Sequence, residues 1–163
     1  MLTYAIAYLR DFFSSQYIIG ETFETSVPWS NIQKVCNGVE QKLIELHHQY
    51  NLPGKPYLSY RISQSYHTGV CLYFMFGVYI KGVEQPEVIC GQIEHSLRQT
   101  IIANGGSISH HHGVGKIRQN FMQDTLSPAS IELLHQIKQS TDPQNIFGIR
   151  NNVFAEKKSR DCH

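Results

Sequence analysis

The chain has 163 residues, of which 41% are hydrophobic and 17% charged, and its formal net charge is +1. This length supports one domain with a real core, and the composition excludes a disordered chain. The near-zero charge argues against a nucleic-acid-binding surface, which carries a strong basic excess.

Four cysteines, Cys36, Cys71, Cys90 and Cys162, are scattered without a pairing pattern and read as free thiols in a reducing compartment. No apolar run reaches the roughly 20 residues of a membrane span. The first nine residues lack the basic start and cleavage site of a signal peptide. The C-terminal Arg160-Asp161-Cys162-His163 matches neither the Ser-Lys-Leu nor the Lys-Asp-Glu-Leu address.

In chain order, Leu2, Ile6, Leu9 and Phe13 have helical spacing and predict a helix over 2–15. Residues 16–27 hold Tyr17, Ile18, Ile19, Thr22, Phe23 and Thr25, which favour a strand. Ser26 as cap and Pro28 in the first turn then predict a helix running to about Tyr50. Its buried face carries Ile32, Val35, Val39, Leu43 and Leu46. A loop at 51–56 leads into two β-rich runs, Tyr57–Tyr66 and Gly69–Ile80, the second a central strand. A second long helix is predicted from Glu87 to Asn104, with Ile89, Ile93, Leu97 and Ile101 inward and Asn104-Gly105-Gly106 ending it. A third begins near Ser127-Pro128, carries Ile131, Leu134 and Ile137, and is followed by a capped turn at 142–148. Long helices covering antiparallel strands predict an α+β fold. Residues 155–163 read as a loose charged tail.

The most informative run is Gly105-Gly106-Ser107-Ile108-Ser109-His110-His111-His112-Gly113-Val114-Gly115-Lys116. Imidazole is the one side chain whose unperturbed pKa lies near neutrality, so it gives or takes a proton there. The glycines permit positive φ and close backbone approach, and Lys116 and Arg118 attract an anion. Together they point to a proton-transfer site facing an anionic substrate or cofactor. A solvated loop is the bland alternative. A metal site ranks lower, because successive strand side chains face opposite ways and no further ligand motif is present. The P-loop pattern fails, since His110 stands where it needs glycine, and there is no dinucleotide fingerprint. His47, His48, His67, His95 and His135 read as solvated, and Arg61 could pair with Glu21 or Glu24.

Ser109-His110-His111-His112-Gly113-Val114-Gly115-Lys116 resembles the histidine triplet of the alkyldihydroxyacetonephosphate synthase family, flavoenzymes of the vanillyl-alcohol-oxidase type. Tyr8-Leu9-Arg10-Asp11, Gly20 to Ser26, Cys71-Leu72-Tyr73-Phe74 and Asp142-Pro143 through Asn151 resemble further family segments in the same order. The resemblance implies FAD and the exchange of the acyl chain of acyl-dihydroxyacetone phosphate for a fatty alcohol, which forms the ether bond of ether lipids. It implies that Tyr73 is a general acid/base and that His110, His111 and His112 assist proton removal or position the flavin. Arg10 and Thr22 would bind substrate, and Lys116, Arg150 and Asn151 would support the site. Without the resemblance, Tyr73 reads as a core tyrosine and Arg10 as a surface ion pair.

Family members are much longer, so residues 1–154 are expected to be the substrate/cap and C-terminal region of an enzyme whose flavin-binding domain lies outside this chain. The resemblance also implies peroxisomal localisation, peripheral membrane contact and a possible homodimer. Two other readings are the C-terminal domain of an FAD-linked 2-hydroxy-acid oxidase or dehydrogenase, and an inactive fragment serving as an interaction domain.

Overall fold

The computed structural model describes residues 2–147 and 151–154, with side chains in the first helix from Tyr8 onward. The chain divides into two compact units, residues 1–110 and 111–163.

The first unit is a three-stranded antiparallel sheet with helices. Its elements are α1 (Leu2–Ser15), β1 (Ile18–Pro28), α2 (Ile32–Gln49), β2 (Tyr57–Ser65), β3 (Gly69–Tyr79) and α3 (Pro86–Ala103). The strand order is β1-β3-β2, so the most apolar strand is central. Phe74 of β3 lies opposite Phe23 of β1 and Tyr60 of β2, which fixes which residues share a face. Val70, Leu72, Phe74, Phe76 and Val78 form one face of β3 and join Phe23, Val27, Val35, Val39, Leu43, Ile93, Leu97 and Ile101 in the core. Phe23 and Phe74 stack at 5.1 Å. Cys71, Tyr73 and Met75 point to the other face, because strand side chains alternate.

This is the α+β architecture expected, with two local differences. β1 extends to Pro28 and a 3₁₀ turn at Trp29–Asn31 precedes α2, so Ser26 does not cap a helix. Its N–H instead donates to Ser107 Oγ at 2.8 Å, a partner 81 residues away that no local pattern reveals. His47 is buried rather than solvated. It stands four residues after Leu43 and eight after Val39, so it extends their stripe along α2.

Of the apolar stripe expected on α1, Leu9 and Phe13 are exposed, as are Tyr8 and Phe12 beside them, while the Leu2 and Ile6 side chains lie outside the described residues. The described cysteines, Cys36, Cys71 and Cys90, are buried thiols outside any disulfide. Burial pushes the Cys90 thiol up to about 11, helped by Glu21 and Glu87, so it stays protonated and unreactive at neutral pH.

The second unit contains the loop after His110, the one-turn α4 (Met122–Thr125) and α5 (Pro128–Thr141). Ser127 caps α5 by accepting from the Ser130 N–H at 3.2 Å, with Pro128 in the first turn, as expected. Asp142 organises the following turn. Its carboxylate pairs with Lys138 and accepts from the N–H groups of Ile146 and Phe147, each at 2.9 Å. The Lys138 hydrogen bond, followed by those two amides, lowers its pKa from 3.8 to about 2.

A group whose folded pKa is depressed contributes stability above its unfolded pKa and loses that contribution as pH falls through the folded one. The destabilisation caused by Asp142→Asn is therefore expected to be constant at pH 5 and above (roughly one unit over the unfolded pKa). It should shrink steadily toward pH 2, the folded value. Melting temperatures of both proteins across that range check this; a difference that does not change with pH would refute it.

Candidate active site

The face of the first unit's sheet that points away from α2 and α3 is polar where its other face is apolar. Thr22, Glu24 and Ser26 of β1 lie opposite Met75, Tyr73 and Cys71 of β3, and Arg61 of β2 lies opposite Tyr73 from the other side. Tyr73 is half-buried on this face, not in the core, and its phenol donates to Thr22 Oγ1 at 3.3 Å. The Arg61 guanidinium sits 4.8 Å from the centre of the Tyr73 ring. Arg61 thus finds an aromatic face, which attracts cations electrostatically.

The segment leading to the triplet is stitched to the end of β1. Ser107 N–H donates to Ser26 O at 3.0 Å, Thr25 Oγ1 donates to Ser107 O at 2.8 Å, and Ser109 Oγ donates to Glu24 Oε1 at 2.8 Å. Glu24 is fully buried and Ser109 half-buried. Arg98 of α3, also fully buried, pairs with Glu94 and donates from Nη1 to the Ile108 carbonyl at 2.7 Å. Three strand residues and one helix cation therefore set the position of His110.

Gly105 and Gly106 serve this stitching. Gly105 has φ +84°, a left-handed conformation that costs a residue with a Cβ but not glycine. A Cβ on Gly106 would fall 2.5 Å from Ile101 Cγ2 and 2.8 Å from Thr25 Oγ1. The close approach these glycines allow is to the protein's own strand and helix. Gly106→Ala is expected to destabilise the protein by about 1–3 kcal/mol, as overpacking does. Urea unfolding checks this, and a change under about 0.5 kcal/mol, the range of neutral surface substitutions, would show that the gap relaxes freely.

His110 is half-buried, and its Nε2 lies 2.8 Å from the Tyr66 hydroxyl. In the second unit, His111 and His112 are exposed and their rings meet edge to face at 4.5 Å. The triplet lies in a loop, so strand alternation does not govern it. Gly113 and Gly115 have φ of +76° and +51°, and a Cβ built on either meets nothing within 4 Å. Arg118 Nη1 donates to Gly113 O at 2.8 Å, and the Asn152 N–H donates to Gly115 O at 3.2 Å. This last bond brings the segment containing Asn151 beside Lys116, which is exposed.

The structure does not give every expected residue such company. Arg10 is exposed on α1. Arg150 and the tail 155–163 lie outside the described residues. Tyr66 and Arg98 were not singled out in the sequence, Glu24 appeared there only as a possible partner of Arg61, and Ser109 only as the start of the triplet segment. The Glu94–Arg98 spacing of four on an apolar helix was a usable signal. For Glu24, its place two residues from Thr22 in β1 was another, since both then share a face.

The family model for FAD linked oxidases, C-terminal domain, matches residues 1–150. The chain belongs to this family of FAD-linked oxidase C-terminal domains. It is 42% identical to an alkyldihydroxyacetonephosphate synthase of Caenorhabditis elegans over 150 residues, 92% of this chain and 25% of that protein. It is 29% identical to one of Dictyostelium discoideum over 160 residues, 97% of this chain and 25% of that protein. The chain thus spans about a quarter of the length of the curated relatives it matches. A solved alkyldihydroxyacetonephosphate synthase structure superposes with a TM-score of 0.58 at 23% identity, over 86% of this chain and 22% of that one, and supports the fold.

Proposed function

We propose that this chain is the substrate-facing C-terminal part of a flavin-dependent alkylglycerone-phosphate synthase. The reaction replaces the acyl chain of acyl-dihydroxyacetone phosphate with a fatty alcohol, releases the fatty acid, and leaves no net oxidation. The observation that carries the reading is the phenol of Tyr73, held at Thr22 on a polar sheet face in the middle of a largely apolar strand. Identity to the Caenorhabditis elegans synthase over nine-tenths of the chain supports it.

The residues present fit a flavin ring better than its nucleotide. A phenol, a hydroxyl and a guanidinium cluster on one open face. Open, left-handed Gly113 and Gly115 precede the cation Lys116. When bound, FAD supplies a ring that can take up and return an electron pair; its dinucleotide is held outside this chain in our reading.

Tyr73 delivers a proton to, or takes one from, the reacting oxygen. Thr22 holds that phenol and contacts substrate. His110, His111 and His112 serve proton removal at the substrate carbon, and Lys116, Asn151 and Arg150 support the anionic end. Arg10 holds substrate phosphate or carboxylate, a task suited to a bidentate fork. The same reading places the protein in the peroxisome, at a membrane surface, as a possible homodimer. Among the described residues no helix is long and apolar enough to cross a membrane.

The test supplies the longest natural polypeptide carrying this chain with FAD, acyl-dihydroxyacetone phosphate and isotope-labelled hexadecanol. The expected result is labelled ether product with fatty acid released in equal amount. Oxidation of lactate or glycolate without ether product would replace the reading with the 2-hydroxy-acid one.

A further inference from the structure

We propose that Gln64 and Tyr66 are positioning residues that fix the tautomer of His110, with the hydrogen on Nε2. The role of that imidazole in catalysis rests on the function proposed above; the tautomer does not.

The geometry starts at an irregularity in β2. Ile62 lies opposite Leu72, on the core face, but Gln64 lies opposite Cys71 because the register shifts between Ile62 and Gln64. Without the bulge, alternation would place Gln64 opposite Val70 and aim it at the core. With it, Gln64 shares the face that carries Cys71 and Tyr73. Bulges of this kind re-aim side chains.

Tyr66, in the turn that follows, is held at three points. Its N–H donates to Gly69 O at 2.8 Å, its carbonyl accepts from the Trp29 indole at 3.0 Å, and its hydroxyl donates to Gln64 Oε1 at 2.5 Å. Its ring lies against that of His110, with centroids 5.7 Å apart.

A phenol has one hydrogen to give. Here the Gln64 carbonyl takes it, so the Tyr66 oxygen can only accept from His110, across 2.8 Å. The Nε2 atom must then carry a hydrogen, and in the neutral ring Nδ1 carries the lone pair. The neighbour of one ring nitrogen sets what the other can do. Ser107 and Ser109 fix the backbone on one side of His110, while the Gln64–Tyr66 pair fixes the ring.

The experiment is two-bond ¹⁵N–¹H correlation of histidine-labelled intact protein at about pH 8, above the usual imidazole titration, with His110→Asn used to assign the signal. The wild type is expected to show the Nε2–H form. Gln64→Leu releases the phenol hydrogen to donate to Nε2, so His110 should switch to the Nδ1–H form. Gln64→Glu keeps an acceptor and should retain Nε2–H. Tyr66→Phe, which keeps the ring but not the hydroxyl, should give a mixture.

An Nδ1–H wild type, or a Gln64→Leu protein unchanged from it, overturns the proposal. If Gln64→Leu fails to fold, the Gln64→Glu and Tyr66→Phe spectra decide in the same way. In the ether-forming assay Gln64→Leu should lower kcat about tenfold or more, with KM little changed, as a wrong tautomer does. The expected spectra together with a wild type that makes no ether product would leave this inference standing and remove the proposed reaction.

Discussion

Arg98→Met is expected to lower the stability of the intact protein by about 3–5 kcal/mol, the cost of breaking a buried ion pair by removing one partner. Arg98 is fully buried, and the Glu94 side chain is only 15% exposed. Methionine replaces most of the arginine stem, so little of the loss is packing. What remains is a largely buried carboxylate without its cation and an Ile108 carbonyl without its donor. The double substitution Arg98→Met with Glu94→Leu separates the two effects, because it removes both charges and should recover a good part of the loss. Urea melts of the wild type, single and double variants measure this. A single variant within about 1 kcal/mol of wild type, the mean cost of an ordinary point mutation, would mean that the pair only orients the loop.

Tyr73→Phe should have the largest effect on turnover. Removing a general acid/base usually costs about 10²–10⁴ in rate, and kcat for ether formation should fall by that factor. Stability should change by no more than about 1 kcal/mol, since a single hydrogen bond is worth that little and this one reaches exposed Thr22. The ring stays in place beneath Arg61, so the substitution removes only the proton-carrying atom. Kinetics with acyl-dihydroxyacetone phosphate and fatty alcohol, alongside thermal melts, test both halves. Wild-type kcat in the variant would remove Tyr73 from the chemistry.

Much of the fold was legible because its signals are local. The spacing of Val35, Val39 and Leu43, and of Ile93, Leu97 and Ile101, defines helices that exist, and the Ser127-Pro128 cap marks a true start. The misplaced start of α2 has the opposite cause. Ser26 satisfies a capping pattern, but its N–H is taken by Ser107, a bond made only once the chain is folded. His47 was missed because an imidazole counts as polar, although its position continues an apolar stripe.

The candidate site divides the same way. The triplet announces itself by composition. Tyr73 follows from alternation once β3 is known. Gln64 and Tyr66 depend on a one-residue bulge, which leaves no pattern in sequence, while the spacing of Glu94 and Arg98 marks their pairing but not the Arg98 bond to the Ile108 carbonyl.

The alternation of β3 has a consequence for how this chain can change over generations. Substitutions at Val70, Leu72, Phe74, Phe76 and Val78 are filtered by folding, while those at Tyr73 are, on the function we propose, filtered by chemistry, so one strand answers to two selections. Point changes can tune either set without touching the other. Loss of a single residue inside the strand exchanges the two faces, turning the phenol toward the core and aromatic rings away from it. Length is therefore the property of β3 that evolution has least freedom to alter.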